Sequence, residues 1–338
     1  MKTPYFTVSP SKIVENYRML AEMLPVEGVY YATKPNSENI TLRTLVDIGG
    51  AFEINSANEM KILLKMGARA ENIICSRPIK TTLELREMYN YGCRYFVYDD
   101  ISEYKNLFNY SPEALKIARI NICDISSGDI DYGMETHTIK RMIEENMIPD
   151  GYTFYVLNTK ERNDIFRKIC SRVEELLKLH RPDQSILINL GGNHPLPSSF
   201  SRDYYKCLYE ITQKLRNVHS NIHFIAEPGR SVVNNAFDLV TTILLIKKNI
   251  NIYVDAHSQI LKLPPMAIYP ISEVEACNPF RVSFYESLCS NYKLFDAEIN
   301  FRPSPGTRLL LKSCGSYSIC FANHFHSTGK PKIVIKDQ

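Results

Sequence analysis

The sequence has few of the features that mark membrane, secreted or nucleic-acid-binding proteins. No hydrophobic run approaches the roughly 20 apolar residues that a membrane-spanning helix requires, and residues 1–6 lack the long apolar core of a signal peptide. The 40 basic and 37 acidic residues are interspersed, which leaves a net charge of +3 and no basic stripe. We therefore expect a cytoplasmic protein whose partner is a small molecule and not a nucleic acid or a membrane.

The chain also lacks the cysteine spacing of metal sites. Its nine cysteines form no CxxC pair and no metal-type Cys/His pattern, so no metal site is predicted and most of them read as small buried hydrophobes. Tryptophan is absent, which says nothing about function. No low-complexity linker divides the 338 residues, and 44% hydrophobic content is ample for a core.

Alternating strands and helices occupy the first two thirds of the chain. Between the predicted strands lie amphipathic segments such as residues 59–67, with apolar positions at helical spacing and a closing glycine. Eight such units favour an α/β fold of the (β/α)8 TIM-type barrel class over an open doubly wound sheet, and we place the barrel at residues 9–235. The predicted barrel strands are 29–34, 51–55, 72–76, 95–98, 116–122, 152–157, 185–190 and 222–226.

From about Phe237 the pattern changes to strands without helices. Residues 238–246 and 250–255 predict a hairpin, and 281–285, 308–322 and 333–335 predict further strands. We expect a β-rich carboxy-terminal domain, a β-barrel or sandwich, over residues 236–338. The amino-terminal strand at residues 1–8 precedes the barrel and is predicted to join this domain.

One lysine stands at the end of the first barrel strand. The run VYYATK at 29–34 favours a strand, and Pro35 has no N–H to donate to a ladder, so Lys34 is predicted at the strand's carboxyl edge. These residues alone favour an ordinary solvated lysine. The other strand ends change that interpretation.

The last two barrel strands end in residues suited to a phosphorylated ligand. Glu227 can pair with a protonated ring nitrogen, and the following Gly229 and Arg230 suit a phosphate. Gly191 and Gly192 follow the seventh strand, where backbone N–H groups can cradle a phosphate. Each motif alone is more often a turn. However, the loops after strands seven and eight are the usual phosphate site of such barrels, so with the lysine they suggest pyridoxal phosphate.

In order and spacing, these motifs resemble those of the fold-type III pyridoxal-phosphate decarboxylases, the group that contains ornithine/arginine and diaminopimelate decarboxylases. The resemblance runs along nearly the whole chain. The segments that carry it are YATKPN at 31–36, FEINSANE at 52–59, ICSRPIK at 74–80, YDD at 98–100, GG at 191–192, EPGR at 227–230, VDA at 254–256, LC at 288–289, PG at 305–306 and GSY at 315–317.

The resemblance implies pyridoxal 5'-phosphate as the cofactor. Lys34 would form the aldimine and later reprotonate the decarboxylated carbon, with apolar burial lowering its pKa. Glu227 would keep the pyridinium nitrogen protonated, which makes the cofactor a strong electron sink. The remaining cofactor-binding residues that it implies are Arg119 on the fifth strand and, around the phosphate, Gly191, Gly192, Gly229, Arg230 and Tyr317.

The resemblance also implies a homodimer with active sites shared across the interface. Cys289 matches a family cysteine that the β-domain contributes to the neighbouring subunit's site, as a catalytic and substrate-binding residue. The other residues that we predict to bind the substrate are Asp255, Tyr269 and Ser290.

Several positions depart from the family pattern. The sixth strand carries Tyr155 and Asn158 where the family has a ring-stacking histidine and a phosphate-binding serine, and we predict that these two residues take over those roles. Ser290 follows Cys289 where diamino-acid decarboxylases have an acidic residue for the distal ammonium. The sequence therefore predicts decarboxylation of an amino acid to an amine, with a non-standard amino acid or biosynthetic intermediate as substrate. A catalytically silent regulator and an amino-acid racemase are the alternatives.

Overall fold

The computed structural model describes residues 1–125, 132–157, 159–288, 292–322 and 329–336. The chain forms two compact units. The barrel unit comprises Asn16–Thr33 and Leu45–Gly229, and the β-rich unit comprises Met1–Glu15, Lys34–Thr44 and Arg230–Gln338. The segment after the first barrel strand thus groups with the β-rich unit, and the predicted domain boundary at residue 235 stays a prediction.

The barrel unit contains a closed barrel of eight parallel strands, which confirms the predicted fold class. Valine, isoleucine, tyrosine and phenylalanine dominate the strands, and their buried side chains, such as Ile74, Tyr95, Val97, Ile117 and Ile225, form the core. In chain order the strands are β2 (Gly28–Ala32), β3 (Ala51–Ile54), β4 (Ile73–Cys75), β5 (Tyr95–Tyr98), β6 (Leu115–Arg119), β7 (Gly151–Thr153), β8 (Ile186–Asn189) and β9 (Ile222–Ala226).

The helices begin at identifiable caps. Ser9 caps the first helix by accepting the Lys12 N–H at 3.2 Å, and Pro10 occupies its first position. Ser56 caps α3, and Thr81 with Glu84 forms a capping box at α4. The α-helices are α1 (Pro10–Met23), α2 (Asn39–Asp47), α3 (Ala57–Lys65), α4 (Thr82–Asn90), α5 (Ile101–Tyr110), α6 (Thr136–Glu144), α7 (Arg162–Leu177), α8 (Arg202–Val218) and α9 (Arg230–Val233).

The β-rich unit contains an eight-stranded mixed sheet. Six strands follow the order β12-β15-β10-β11-β13-β14, while β1 pairs antiparallel with β10 and parallel with β16. The strands are β1 (Tyr5–Val8), β10 (Phe237–Lys247), β11 (Asn251–Val254), β12 (Ile268–Pro270), β13 (Ala276–Glu286), β14 (Lys293–Phe301), β15 (Arg308–Leu311) and β16 (Lys332–Ile335).

Several strands are shorter than the sequence predicts. The first barrel strand ends at Ala32, two residues before Lys34, β6 ends at Arg119 instead of residue 122, and β7 ends at Thr153 instead of residue 157. Beyond β7, the Val156 carbonyl accepts a side-chain hydrogen bond from Asn193. The predicted strand at 308–322 ends at Leu311, since Ser313 and Tyr317 adopt left-handed backbone conformations that a strand does not contain. Within the described ranges, no helix is long and apolar enough to cross a membrane.

Candidate active site

Glu227 directly follows β9 and accepts hydrogen bonds from two donors at the carboxyl ends of other barrel strands. Asn189, the last residue of β8, donates from Nδ2 to Glu227 Oε1 at 2.5 Å, and the Ser76 hydroxyl, which follows β4, donates to the same oxygen. Oε2 accepts a hydrogen bond from no described residue. One oxygen of the carboxylate is therefore fixed, and the other is free for a ligand.

The surroundings of Glu227 act on its charge in opposite directions. Burial is the largest cause and raises the pKa of the Glu227 carboxyl above its ordinary value, while the hydrogen bonds from Ser76 and Asn189 and the nearby charge of Arg119 partly offset this rise. Burial lowers the pKa of the Arg119 guanidinium, whereas the nearby Asp99 and Glu227 carboxylates raise it. Arg119 thus lies at the end of β6 within the electrostatic reach of Glu227, as the predicted cofactor role requires.

Glycines shape the loop after β8, beside the same carboxylate. The Glu227 N–H donates to the Gly191 carbonyl at 2.8 Å. A Cβ on Gly191 would stand 2.5 Å from the Phe154 carbonyl oxygen, and one on Gly192 would stand 2.9 Å from that of Glu227. Gly191 also has a φ of +69°, which favours glycine. Both positions therefore require glycine, because the loop packs directly against the backbone at Phe154 and Glu227.

Asn193 connects the glycine loop to Tyr155. Its Nδ2 donates to the Tyr155 hydroxyl at 2.8 Å and to the Val156 carbonyl at 3.1 Å. Tyr155 lies two residues beyond the end of β7, and its side chain is 37% exposed. The tyrosine predicted to replace a stacking histidine is thus held by a side chain of the glycine loop, and its stacking role stays a prediction.

The buried His194 side chain hydrogen-bonds to the same loop. The Gly191 carbonyl can only accept, so His194 Nε2 carries the proton that spans the 2.8 Å between them, and Nδ1 accepts from the Tyr204 hydroxyl. Burial lowers the pKa of His194 to about 4, and therefore the ring is neutral at pH 7.

The residue before Lys34 is tightly held within the barrel unit. The Thr33 N–H donates to the Glu53 carbonyl at 3.1 Å, and its hydroxyl donates to Glu59 Oε1 at 2.8 Å. Lys34 itself is exposed. The expectation that apolar burial surrounds this lysine is therefore wrong, because the ladder ends at Thr33 and Pro35 has no N–H to continue it.

The residues after Lys34 are held within the β-rich unit. The Pro35 carbonyl accepts the Tyr317 N–H at 2.8 Å, and Asn36 Nδ2 donates to the Gly315 carbonyl at 2.8 Å. The Arg230 guanidinium lies 5.6 Å from the centre of the Tyr317 ring. Two residues predicted to bind the phosphate, Arg230 and Tyr317, are thus neighbours in this unit.

The predicted substrate residues are less informative. Asp255 Oδ1 accepts from the Thr241 hydroxyl at 2.6 Å and the Thr242 N–H at 2.9 Å, while Oδ2 accepts from the Thr3 hydroxyl at 2.5 Å, so both oxygens are used by the sheet. Tyr269 lies on β12 with 55% of its side chain exposed. Their substrate roles stay predictions. Asn158, Cys289 and Ser290 lie outside the described residues.

Several residues that organise this site were not predicted from the sequence. Asn189, Ser76 and His194 were not among the predicted cofactor-binding residues, although Ser76 and Asn189 both stand at the carboxyl ends of predicted barrel strands. That position was the available signal, because side chains there meet at one rim of the barrel.

The residues of the barrel unit fit pyridoxal 5'-phosphate. An open carboxylate oxygen matches a protonated ring nitrogen, and paired glycines after a barrel strand are the backbone type that suits a phosphate. Both features occur at adjacent positions, since Gly192 packs against the Glu227 carbonyl.

Comparison with known proteins agrees with this fit. The family model described as "Pyridoxal-dependent decarboxylase, pyridoxal binding domain" matches residues 10–146. The lysine/ornithine decarboxylase of Selenomonas ruminantium is 26% identical over 260 residues, which cover 72% of this chain and 64% of that protein. Antizyme inhibitor 2 of Xenopus laevis is 21% identical over 257 residues, which cover 72% of this chain and 56% of that protein. The matched part therefore spans less than two thirds of the length of either relative.

Among solved structures, the arginine decarboxylase of Paramecium bursaria Chlorella virus superposes with a TM-score of 0.87 at 16% identity. The match covers 99% of this chain and 96% of that one. The similarity in fold thus extends over both units, each with its counterpart in the viral protein's chain.

Proposed function

We propose that the chain is a member of the fold-type III pyridoxal-phosphate-dependent decarboxylases, and that it removes the α-carboxylate of an amino acid and releases an amine. The observation that carries the proposal is the state of Glu227. Its Oε1 is fixed by Ser76 and Asn189, and its Oε2 is free to accept from a protonated ring nitrogen.

Pyridoxal 5'-phosphate, when bound, supplies an electron sink for the pair of electrons that the departing carboxylate leaves behind. Glu227 would maintain the positive charge of the ring nitrogen through its ionised oxygen. Lys34 would supply the amine that binds the cofactor and later return a proton to the substrate's α-carbon. Its exposed side chain has the freedom that both tasks demand.

The remaining residues would bind and orient. Arg230 and Tyr317 would hold phosphate oxygens by charge and by a hydroxyl group, and the backbone of Gly191 and Gly192 would admit the phosphate closely. Arg119 would contribute positive electrostatic potential around the ring, since its charge already lowers the pKa of Glu227 against the effect of burial.

We propose that the substrate side chain is less cationic than that of ornithine or lysine. The relatives include a lysine/ornithine decarboxylase and an arginine decarboxylase. This chain, however, has Ser290 next to Cys289 where an acidic residue would receive the distal ammonium group. A carbon dioxide assay over a panel of amino acids tests this, and release from ornithine or lysine at rates above those for uncharged or extended amino acids would contradict it.

We also propose a homodimer in which Cys289 acts in the partner's site. Lys34→Ala and Cys289→Ala variants, each inactive alone, should regain up to about a quarter of the wild-type activity when their subunits are mixed and exchanged, because one subunit combination restores one intact site. Activity that does not recover, in mixtures shown by mass to contain heterodimers, would contradict shared sites.

The first experiment is the visible absorbance of the purified protein before and after borohydride reduction. An absorbance band that disappears on reduction, with the pyridoxyl group located on Lys34 by peptide mass, supports the cofactor assignment. The matched control is Lys34→Ala, which should show no reducible band. Absence of the band from the wild-type protein after incubation with pyridoxal 5'-phosphate would contradict the proposal.

A catalytically silent role is the second candidate, because one relative is an antizyme inhibitor and Tyr155 replaces the stacking histidine. A racemase is disfavoured, since that class places an arginine and not a carboxylate against the ring nitrogen. Cofactor bound at Lys34 without carbon dioxide release from any amino acid would favour the silent role, and exchange of the α-proton with retention of the carboxylate would favour the racemase.

A further inference from the structure

Asn189 is a fully buried amide with all of its polar atoms engaged. Its Oδ1 accepts the Gly191 N–H at 2.8 Å, and its Nδ2 donates to the Tyr95 hydroxyl at 2.7 Å and to Glu227 Oε1 at 2.5 Å. The Gly191 N–H can only donate, so the atom that faces it must be the amide oxygen. The orientation of the amide is therefore fixed by the backbone.

This orientation limits where Glu227 can carry a proton. Because the NH₂ group points at Oε1, a proton on that oxygen would place two donors against each other, and a donor held against Oε1 favours the ionised carboxylate over the acid. The Ser76 hydroxyl adds a second donor to the same oxygen. The backbone of the glycine loop thus determines, through one amide, which Glu227 oxygen is blocked and which is left for a ligand.

We propose that Asn189 is a positioning residue that holds Glu227 as a carboxylate and keeps Oε2 available to the ring nitrogen of the cofactor. The role of Oε2 toward a cofactor rests on the proposed function, whereas the effect of Asn189 on the protonation of Glu227 rests on the hydrogen bonds alone. Asn189 also connects two regions that we propose to bind the cofactor. Its amide donates to Glu227 and accepts from the Gly191 N–H of the glycine loop.

The other groups that face Glu227 are few. Arg119 from β6 contributes a positive charge, and Ser76 donates directly. Tyr95 from β5 accepts from Asn189 and lies close enough to Glu227 to interact with its charge. An amide that served only to satisfy the barrel core would stabilise the fold without affecting the protonation of Glu227. The protonation of Glu227 therefore separates the two roles.

The test is a pH titration of the full chain, before cofactor is added, with carbon-13 at the side-chain carboxyl of glutamate. Nuclear magnetic resonance follows the signals, and Glu227→Gln identifies the one that belongs to Glu227. In Asn189→Asp the donor is lost and a like charge is added, so the titration midpoint of Glu227 should rise by about one pH unit or more. Ser76→Ala should raise it by less.

Tyr95→Phe is the matched control, since it removes another partner of the same amide and leaves the bond to Glu227. Its midpoint should match that of the wild type. A second measurement needs no substitution at Asn189: in the wild type, the Asn189 side-chain amide protons should shift across the Glu227 titration, and this shift should be absent from Glu227→Gln.

An unchanged midpoint in a folded Asn189→Asp variant, or an equal rise in Tyr95→Phe, would overturn the inference. If Asn189→Asp does not fold, the wild-type protein provides the test. Asn189 side-chain amide signals that stay unchanged across the Glu227 titration would then overturn the inference. Because the titration is independent of the reaction, the expected shifts in a protein that decarboxylates nothing would refute the proposed function alone.

Discussion

The carboxylate in the barrel unit and the lysine segment in the β-rich unit are organised by opposite means. Side chains fix Glu227, since a buried amide and a hydroxyl donate to one of its oxygens. Backbone hydrogen bonds fix the residues on either side of Lys34, at Thr33 and Pro35, and its side chain stays exposed. The carboxylate is thus oriented by the protein's own groups, as a preorganised electrostatic site requires, whereas the lysine that we propose as the proton donor has an exposed side chain.

The largest effect should come from the freely placed group. Lys34→Ala should lower kcat for carbon dioxide release by roughly 10³-fold or more, because both the cofactor attachment and the proton donor are lost. The melting temperature should stay unchanged, since an exposed side chain contributes little to stability. Lys332→Ala, another exposed lysine of the same unit, is the control. A large fall in melting temperature for Lys34→Ala would show that the lysine is structural.

The next effect should come from the fixed group. Glu227→Gln keeps the size of the side chain and removes its charge, so kcat should fall by about 10²-fold through loss of transition-state stabilisation. Cofactor absorbance measured over pH should show that the ring nitrogen loses its proton more readily. Full activity in Glu227→Gln would mean that the carboxylate is not the partner of the ring.

A third comparison concerns pH and the glycine loop. The folded protein holds His194 neutral, with a pKa of about 4, while the unfolded chain takes up a proton near the ordinary pKa. Stability should therefore fall as pH decreases from about 6.5 to about 4, by at most ~3 kcal/mol from this group. Urea unfolding at several pH values checks this, and His194→Gln, which retains a donor but does not titrate, should show a weaker dependence. Equal slopes for the two proteins would contradict the assignment.

The smallest effect should come from the link between Asn193 and Tyr155. Asn193→Gly accommodates the φ of +62° and removes the donor, and Tyr155→Phe removes the acceptor. Each should weaken cofactor affinity by roughly fivefold, the value of one ordinary hydrogen bond. Affinity measured by absorbance should be no weaker in the double variant than in either single one, because both remove the same contact. Additive losses would show that the two residues act separately.

Much of the fold was predictable because its signals are local. Alternating β-prone and amphipathic segments predicted the eight barrel strands, and the change of periodicity near Phe237 predicted a β-rich region. Strand ends were less predictable: β7 stops at Thr153, and beyond it the Val156 carbonyl accepts from Asn193, a side chain of a distant loop. The strands β12 and β14 were missed, since short or edge strands have weak patterns of their own.

By itself the sequence determined which chemical groups this protein has at its strand ends: a lysine before a proline, a carboxylate before a glycine and an arginine, and paired glycines. These groups can be identified from residue types and their spacing along the chain. Only the tertiary structure decided how they are held, because the bonds from Ser76 and Asn189 to Glu227 join positions 151 and 38 residues apart. The orientation of an amide and the choice between two carboxylate oxygens depend on partners that only folding brings together.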